Sequence, residues 1–375
     1  MGDHKGKSIP FWTYLRAYEL EKKEIQSAIK RVFLSGQLIL GPEVEKFEEE
    51  FAKFCNSSFG IGVGNGTDAL FIALKALGVG KGDEVITVPN TAIPTASAIC
   101  ATGARPVFVD INPDTLLLDP EKIEEKITKR TRAILPVHLY GQCCDMDKIS
   151  MIAKKHKLFV LEDCAQATGA KWRGKFAGSM SDIAAFSFYP TKILGAYGDG
   201  GMIVTSSKRL ASLCRMLRTY GMRRDYYSQF LGYNSRLDEI QAAILRERLK
   251  KIDSYIKKRK NVAKRYYDRL AKTSLTLPSV DPNASHVYHL FVCRHEKRDA
   301  IISYMQKRGI TLAIHYPHPL HLMKGFSHLG YKKGDFPIAE EAAREVLSLP
   351  LYPELEKAEQ GKIISSLHSS ISVLL

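Results

Sequence analysis

Lys192 is the residue around which chemistry can be built in this chain. It closes the stretch Ser187-Phe188-Tyr189-Pro190-Thr191-Lys192, and glycines follow at 195, 198, 200 and 201. The apolar runs on either side, Ile183-Ala184-Ala185-Phe186 and Met202-Ile203-Val204-Thr205, each read as a short buried strand. A lysine on the turn between two buried strands has a desolvated stem, which disfavours the ammonium and leaves a nucleophilic amine. Such an amine forms Schiff bases with aldehydes, and the glycines let a flat molecule lie close to the backbone. A solvated lysine on a glycine-rich turn has the same local sequence. A cofactor site therefore requires three more parts: a carboxylate for a ring nitrogen, a cradle for a phosphate, and a wall for the ring.

Two of these parts stand at the ends of other apolar runs. Ile61-Gly62-Val63 leads into Gly64-Asn65-Gly66-Thr67-Asp68 and directly into a helical pattern. Free N–H groups, the positive end of a helix dipole and a hydroxyl at such a turn suit a phosphate. A plain turn with Thr67 or Asp68 as N-cap reads the same way. Leu158-Phe159-Val160-Leu161 ends in Glu162-Asp163-Cys164-Ala165-Gln166. Asp163 is either a helix cap or the partner of a protonated pyridine nitrogen, the feature that makes pyridoxal phosphate an electron sink. Gln166, one helical turn on, is placed to reach the ring's 3-oxygen.

The elements that must position these groups are strands alternating with helices. Apolar runs at Ile61–Val63, Val85–Val88, Val107–Val109, Ile134–Val137, Phe159–Leu161, Ile183–Phe188 and Met202–Thr205 predict seven strands. Helical patterns fall between most of them, as at Ala69–Leu77 and Met146–His156. Two amphipathic helices precede them: Tyr14–Ser35, stopped by Gly36, and one started by Gly41-Pro42. This alternation means a mostly parallel sheet covered on both faces, with ligands at the carboxyl ends of its strands. After residue 240 the pattern changes, with one long helix expected over 237–270, a strand over 286–292 and a helix over 299–308. The division expected is 1–240 and 241–375.

The 375 residues are 45% hydrophobic and 25% charged, which is ordinary for a globular chain, and no apolar run is long enough for a membrane span. Met1–Lys7 is polar, so no secretory signal is expected. Gly6 stands where a myristoylation signal needs Ser or Thr. Seven cysteines without a C-x-x-C pair point to reduced thiols and a cytoplasmic protein. The net charge of +15 favours anionic partners. Its densest group, between Lys250 and Arg265, lies on the amphipathic helical pattern, and no nucleic-acid-binding signature accompanies it.

Taken together, the chain resembles the DegT/DnrJ/EryC1/StrS aminotransferases, which act on nucleotide-linked keto sugars. The resemblance runs through Gly41-Pro42-Glu43-Val44, Asn65-Gly66-Thr67-Asp68-Ala69-Leu70, Gly82-Asp83-Glu84-Val85-Ile86 and Tyr140-Gly141-Gln142. It continues in Glu162-Asp163-Cys164-Ala165-Gln166, the lysine stretch, Gly198-Asp199-Gly200-Gly201, Gly232–Asp238 and Ser348–Pro353. It implies the type I aminotransferase fold, an α/β architecture with a seven-stranded sheet and a smaller C-terminal α/β domain. It implies pyridoxal 5'-phosphate, with Lys192 as the Schiff-base lysine, Asp163 as the pyridinium partner and Gln166 at the 3-oxygen. Gly66, Thr67 and Ser187 would hold the phosphate. Asn234 would reach it from the neighbouring subunit of a homodimer, with Arg236 close by as a substrate contact. Many relatives set an aromatic against the ring where this chain has Ala92, so that stacking face is missing.

The resemblance also places His315 and Tyr316, in Ile314-His315-Tyr316-Pro317, near the sugar. Three histidines at spacing three (315, 318 and 321) suggest a metal, but Pro317 and Pro319 forbid the helix that would align them, and no metal is expected. L-Glutamate is the amino donor that the relatives imply, and the block around His315 leans towards 3-keto over 4-keto sugars. A sugar dehydratase on this scaffold would carry histidine at position 192. A nucleic-acid-binding regulator is the reading that the charge alone would favour.

Overall fold

The computed structural model describes residues 8–223 and 226–374, so the polar N-terminal stretch 1–7 lies outside the described residues. All seven apolar runs contribute to one sheet. Its strands are β1 (Phe59–Val63), β2 (Glu84–Thr87), β3 (Arg105–Phe108), β4 (Thr131–Ile134), β5 (Phe159–Asp163), β6 (Ile183–Ser187) and β7 (Gly201–Thr205). Their spatial order is β1-β7-β6-β5-β4-β2-β3. Only β7 runs against its neighbours; β2 through β6 pair in parallel. Every residue of β6 and β7 is buried, as an apolar strand covered on both faces requires.

Helices cover the two faces. They are α1 (Leu15–Ser35), α2 (Pro42–Phe54), α3 (Gly66–Ala76), α4 (Ile93–Ala101), α5 (Met146–His156) and α6 (Lys208–Leu217). Gly36 ends α1 in the left-handed conformation, at φ 71°. Pro42 opens α2, whose free N–H groups go to one buried carboxylate. Glu239 accepts from Gly41 and Glu43 at 2.9 Å and from Val44 at 2.8 Å.

The single helix expected over 237–270 is two, α7 (Glu239–Leu249) and α8 (Ile252–Leu270). Lys251 leaves helical geometry at φ −105°, ψ 1°. The two halves serve different cores: α7 packs on α1 and α2, whereas Ala263, Tyr266 and Leu270 of α8 enter a second apolar cluster. One straight helix would have to carry both apolar stripes in line. That second cluster adds Ile9, Phe291, Ile301, Leu347, Tyr352 and Leu367. It is built on the antiparallel pair β8 (Phe291–Arg294) and β9 (Val346–Leu349), with α9 (Arg298–Lys307) and, after α10 (Pro337–Glu345), whose Ala339 and Ala342 join the first cluster, α11 (Lys357–Leu374).

The strand expected from residue 286 starts only at Phe291. The preceding backbone is spent elsewhere: the N–H of Val287 donates to Gly141 at 2.9 Å and that of Leu290 to Tyr140 at 3.2 Å. This clamps the 139–141 turn, which lies beside the site. No described helix is long and apolar enough to cross a membrane.

Candidate active site

Four connections meet at the carboxyl ends of the parallel strands. They are the β1–α3 turn, the β2–α4 turn, the segment after β5 and the β6–β7 loop that carries Lys192. Between them lies a cavity of about 260 Å³ whose walls include Gly66, Thr67, Ala92, Asp163, Gln166, Ser187 and Lys192. The sheet order explains the meeting. Asp163 ends β5 and pairs with Ala185 of the adjacent β6, while Val63 at the end of β1 pairs with Gly201 at the start of β7.

At the phosphate end, α3 begins at Gly66. Asn65 caps it, accepting from the N–H of Asp68 at 2.9 Å. The N–H groups of Gly66 and Thr67 precede the first helical bond and have no partner within the helix. A β-carbon on Gly66 would lie 2.6 Å from Cβ of Ser187, so glycine is required for the helix to start this close to β6. This is a cradle of two backbone donors, the Thr67 and Ser187 hydroxyls and a helix dipole, and it fits a phosphate.

At the opposite end Asp163 is buried, and burial pushes its pKa up; the Ala165 N–H, the Thr95 hydroxyl and the charge of Lys192 oppose the rise. Lys192 is desolvated, which pushes its pKa down to about 8 against the pull of Asp163. A near-neutral amine and an acid at neighbouring strand ends are what the Schiff-base chemistry of an aromatic aldehyde needs.

The orientation of Gln166 follows from its neighbours. Its Oε1 accepts from the N–H of Tyr140 at 2.8 Å, so its amide nitrogen is the donor that reaches the hydroxyl of Tyr316 at 3.0 Å. Tyr140 holds that N–H in place from a left-handed conformation at φ 61°. The Tyr316 hydroxyl stays protonated, since burial raises its pKa to about 12. His315 is kept neutral, its pKa lowered to about 4 by burial and by the charge of Lys192, and its Nδ1 lies 2.8 Å from Ser348 Oγ. His321 instead bonds Glu340 at 3.0 Å, so these two histidines have separate partners.

Four expected residues are not among the cavity's lining residues. Asn234 is exposed and Arg236 half-buried two residues on, while His315 and Tyr316 lie outside the lining, Tyr316 reaching it through its bond to Gln166. Residues not anticipated from sequence are Thr91, Thr95, Tyr189 and Val137, which line the cavity, and Tyr140, which orients Gln166. Tyr189 sits inside the lysine stretch, so its place in the motif was the available signal. Behind the site, the strand alternation turns Glu162 to the other face. There its carboxylate accepts from Gly178, Met180 and Ser181 and lies 2.9 Å from His138 Nε2. These two residues, with Cys164, form a buried group whose potential ligand atoms lie within 4.8 Å of one another.

Fold and site together define an enzyme of the aminotransferase class. A profile of the DegT/DnrJ/EryC1/StrS aminotransferase family matches residues 19–368. The chain is 48% identical over 369 residues to the dTDP-3-amino-3,4,6-trideoxy-alpha-D-glucose transaminase of Micromonospora megalomicea subsp. nigra, covering 97% of this chain and 99% of that one. It is 45% identical to a pleiotropic regulatory protein of Geobacillus stearothermophilus, covering 96% and 98%. Among solved structures, S. venezuelae DesV in complex with a ketimine intermediate superposes with a TM-score of 0.95 at 46% identity, covering 97% and 98%. The chain belongs to the DegT/DnrJ/EryC1/StrS aminotransferase family, and it is an aminotransferase.

Proposed function

We propose that the protein uses pyridoxal 5'-phosphate to move an amino group from L-glutamate to a 3-keto hexose linked to a nucleoside diphosphate. The carrying observation is the convergence of Lys192, Asp163 and the Gly66–Thr67–Ser187 cradle on one cavity. When bound, the cofactor supplies an aldehyde for the lysine and a ring that stabilises negative charge on the adjacent carbon. Lys192 would be the covalent anchor and, when its amine is free, would serve as the general base and acid beside the donor's α-carbon, a role that a pKa of about 8 suits in both directions. Asp163 would hold the ring nitrogen, and the amide nitrogen of Gln166 would be the donor for the 3-oxygen.

His315 and Tyr316 are the sugar contacts in this reading. The small side chain of Ala92 leaves room beside the ring for a hexose turned to present C3. Asn234 and Arg236 serve the site of a second copy, which makes the unit a homodimer with shared sites. The large apolar side chains exposed at Phe33, Leu34, Leu38, Tyr226, Tyr227 and Leu231 support such an interface. We take residues 1–240 as the large domain and 241–375 as the small one, and the protein as cytoplasmic. The regulator reading, which the net charge and one relative's name favour, leaves the assembled cavity unexplained.

The test is a panel of UDP- and dTDP-linked 3-keto and 4-keto sugars offered with glutamate. Amination of a 3-keto sugar with release of 2-oxoglutarate is expected. Turnover of 4-keto sugars alone would overturn the regiochemistry, and salt-sensitive binding to DNA without turnover would favour the regulator.

A further inference from the structure

A carboxylate as deeply buried as Asp163 stays ionised only if hydrogen-bond donors replace the water it has lost. Two donors reach it. Oδ1 accepts from the N–H of Ala165 at 3.1 Å, and Oδ2 accepts from the hydroxyl of Thr95 at 2.9 Å. The first is a local backbone bond; the second crosses from the first turn of α4. Thr95 is itself 1% exposed, so its hydroxyl has no competing water.

The direction of the next bond can be worked out from proton counts. A threonine hydroxyl has one proton, and an ionised carboxylate only accepts, so the Thr95 proton goes to Asp163. Thr91 Oγ1 lies 3.0 Å from Thr95 Oγ1, and Thr91 must therefore be the donor of that pair. Thr91 is 2% exposed. The two hydroxyls form a one-way chain from Thr91 through Thr95 to Asp163, in which each bond polarises the next. Neither is spent on capping α4, whose N-cap is Ala92 and carries no side-chain cap bond. β-Branching further restricts both side chains at χ1.

We infer that Thr95, polarised by Thr91, is a positioning residue that holds Asp163 ionised and oriented for the cationic ring nitrogen of the cofactor. The inference rests on Asp163 being the partner of that nitrogen. The other charged or titratable groups facing Asp163 are Lys192 from the β6–β7 loop, His138 from the segment between β4 and α5, Tyr316 and the neighbouring Cys164. All of them remain in the variants below.

Thr95→Val is close to isosteric and lacks the proton, whereas Thr95→Ser keeps it. Three quantities are measured: the cofactor dissociation constant, the pH midpoint of the bound cofactor's absorption change, and, in cofactor-free protein, the infrared carboxyl band that Asp163→Asn removes. Thr95→Val should weaken cofactor binding on the order of tenfold or more. It should lower the absorption midpoint by about one pH unit and move Asp163 protonation to higher pH. Thr95→Ser should stay near wild type, and Thr91→Val should shift in the same direction by less, which keeps the test decisive if Thr95→Val folds poorly. A serine variant as impaired as valine, or a Thr95→Val protein with wild-type values, overturns the relay. If Asp163→Asn itself leaves affinity and midpoint unchanged, the assignment of Asp163 has failed, and the relay with it. If Asp163→Asn loses both while neither threonine variant does, the relay alone is wrong.

Discussion

Gly66 and Ser187 touch so closely that a β-carbon on the first would come within 2.6 Å of Cβ of the second. They belong to elements far apart in sequence, the start of α3 and the end of β6, which the insertion of β7 between β1 and β6 brings to one corner of the sheet. The contact sets the free N–H groups at the start of α3 beside the Thr67 and Ser187 hydroxyls, the cradle proposed for the phosphate.

Gly66→Ala therefore fills the cradle and forces α3 away from β6. Overpacking of this kind costs about 1–3 kcal/mol of stability. Cofactor affinity should fall by about tenfold or more, because the helix N-terminus is displaced from its ligand. Fluorescence titration of the cofactor and a thermal melt check both effects. Wild-type affinity in a folded Gly66→Ala protein would place the phosphate elsewhere.

The depressed pKa of Lys192 gives a pH profile. Covalent capture of pyridoxal phosphate by cofactor-free protein needs the neutral amine, so its rate should rise with pH about a midpoint near 8 and level off above it. The folded chain binds fewer protons than the unfolded one between about 8 and 10.5, the free lysine value. Across that window stability should rise with pH relative to Lys192→Met, and below it the burial penalty should be constant. Stopped-flow absorbance and paired melts measure the two. A capture midpoint near that of an ordinary lysine would show that burial does not tune this amine.

In the proposed function Asn234 serves the cofactor phosphate across an interface, since it stands outside its own chain's cavity. Lys192→Ala and Asn234→Ala chains, each inactive alone, should regain partial activity on co-expression. The mixed dimer puts both defects into one site and leaves the other whole. Two folded, dimeric variants that fail to complement would mean that Asn234 acts within its own chain.

Much of this architecture is legible in the residues, and the failures have physical causes. Strands β6 and β7 are buried throughout and apolar except at Ser187 and Thr205, because both faces are covered, and so they stand out. β4 was expected at Ile134–Val137 but forms at Thr131–Ile134. Pro136 has no N–H to continue the ladder, and Val137 makes only an isolated bridge to Asp163. Lys192 and Asp163 are visible because each stands just beyond an apolar run. The roles of Thr95 and Tyr140 are not, because their partners lie 68 and 26 residues away in sequence, even though Tyr140 stands in a block shared with the family. A threonine in the first turn of a helix reads as a cap until the acid it faces is located.

Central to the whole account is the identity of one nitrogen. Reduction of the cofactor-loaded protein with borohydride, followed by proteolysis and mass spectrometry, locates the covalent bond directly. A single pyridoxyl adduct is expected on the peptide carrying Lys192, and none in Lys192→Ala even when that variant retains cofactor through Asp163 and the Gly66–Ser187 cradle. An adduct on any other lysine, or no adduct in a protein saturated with cofactor, would contradict it.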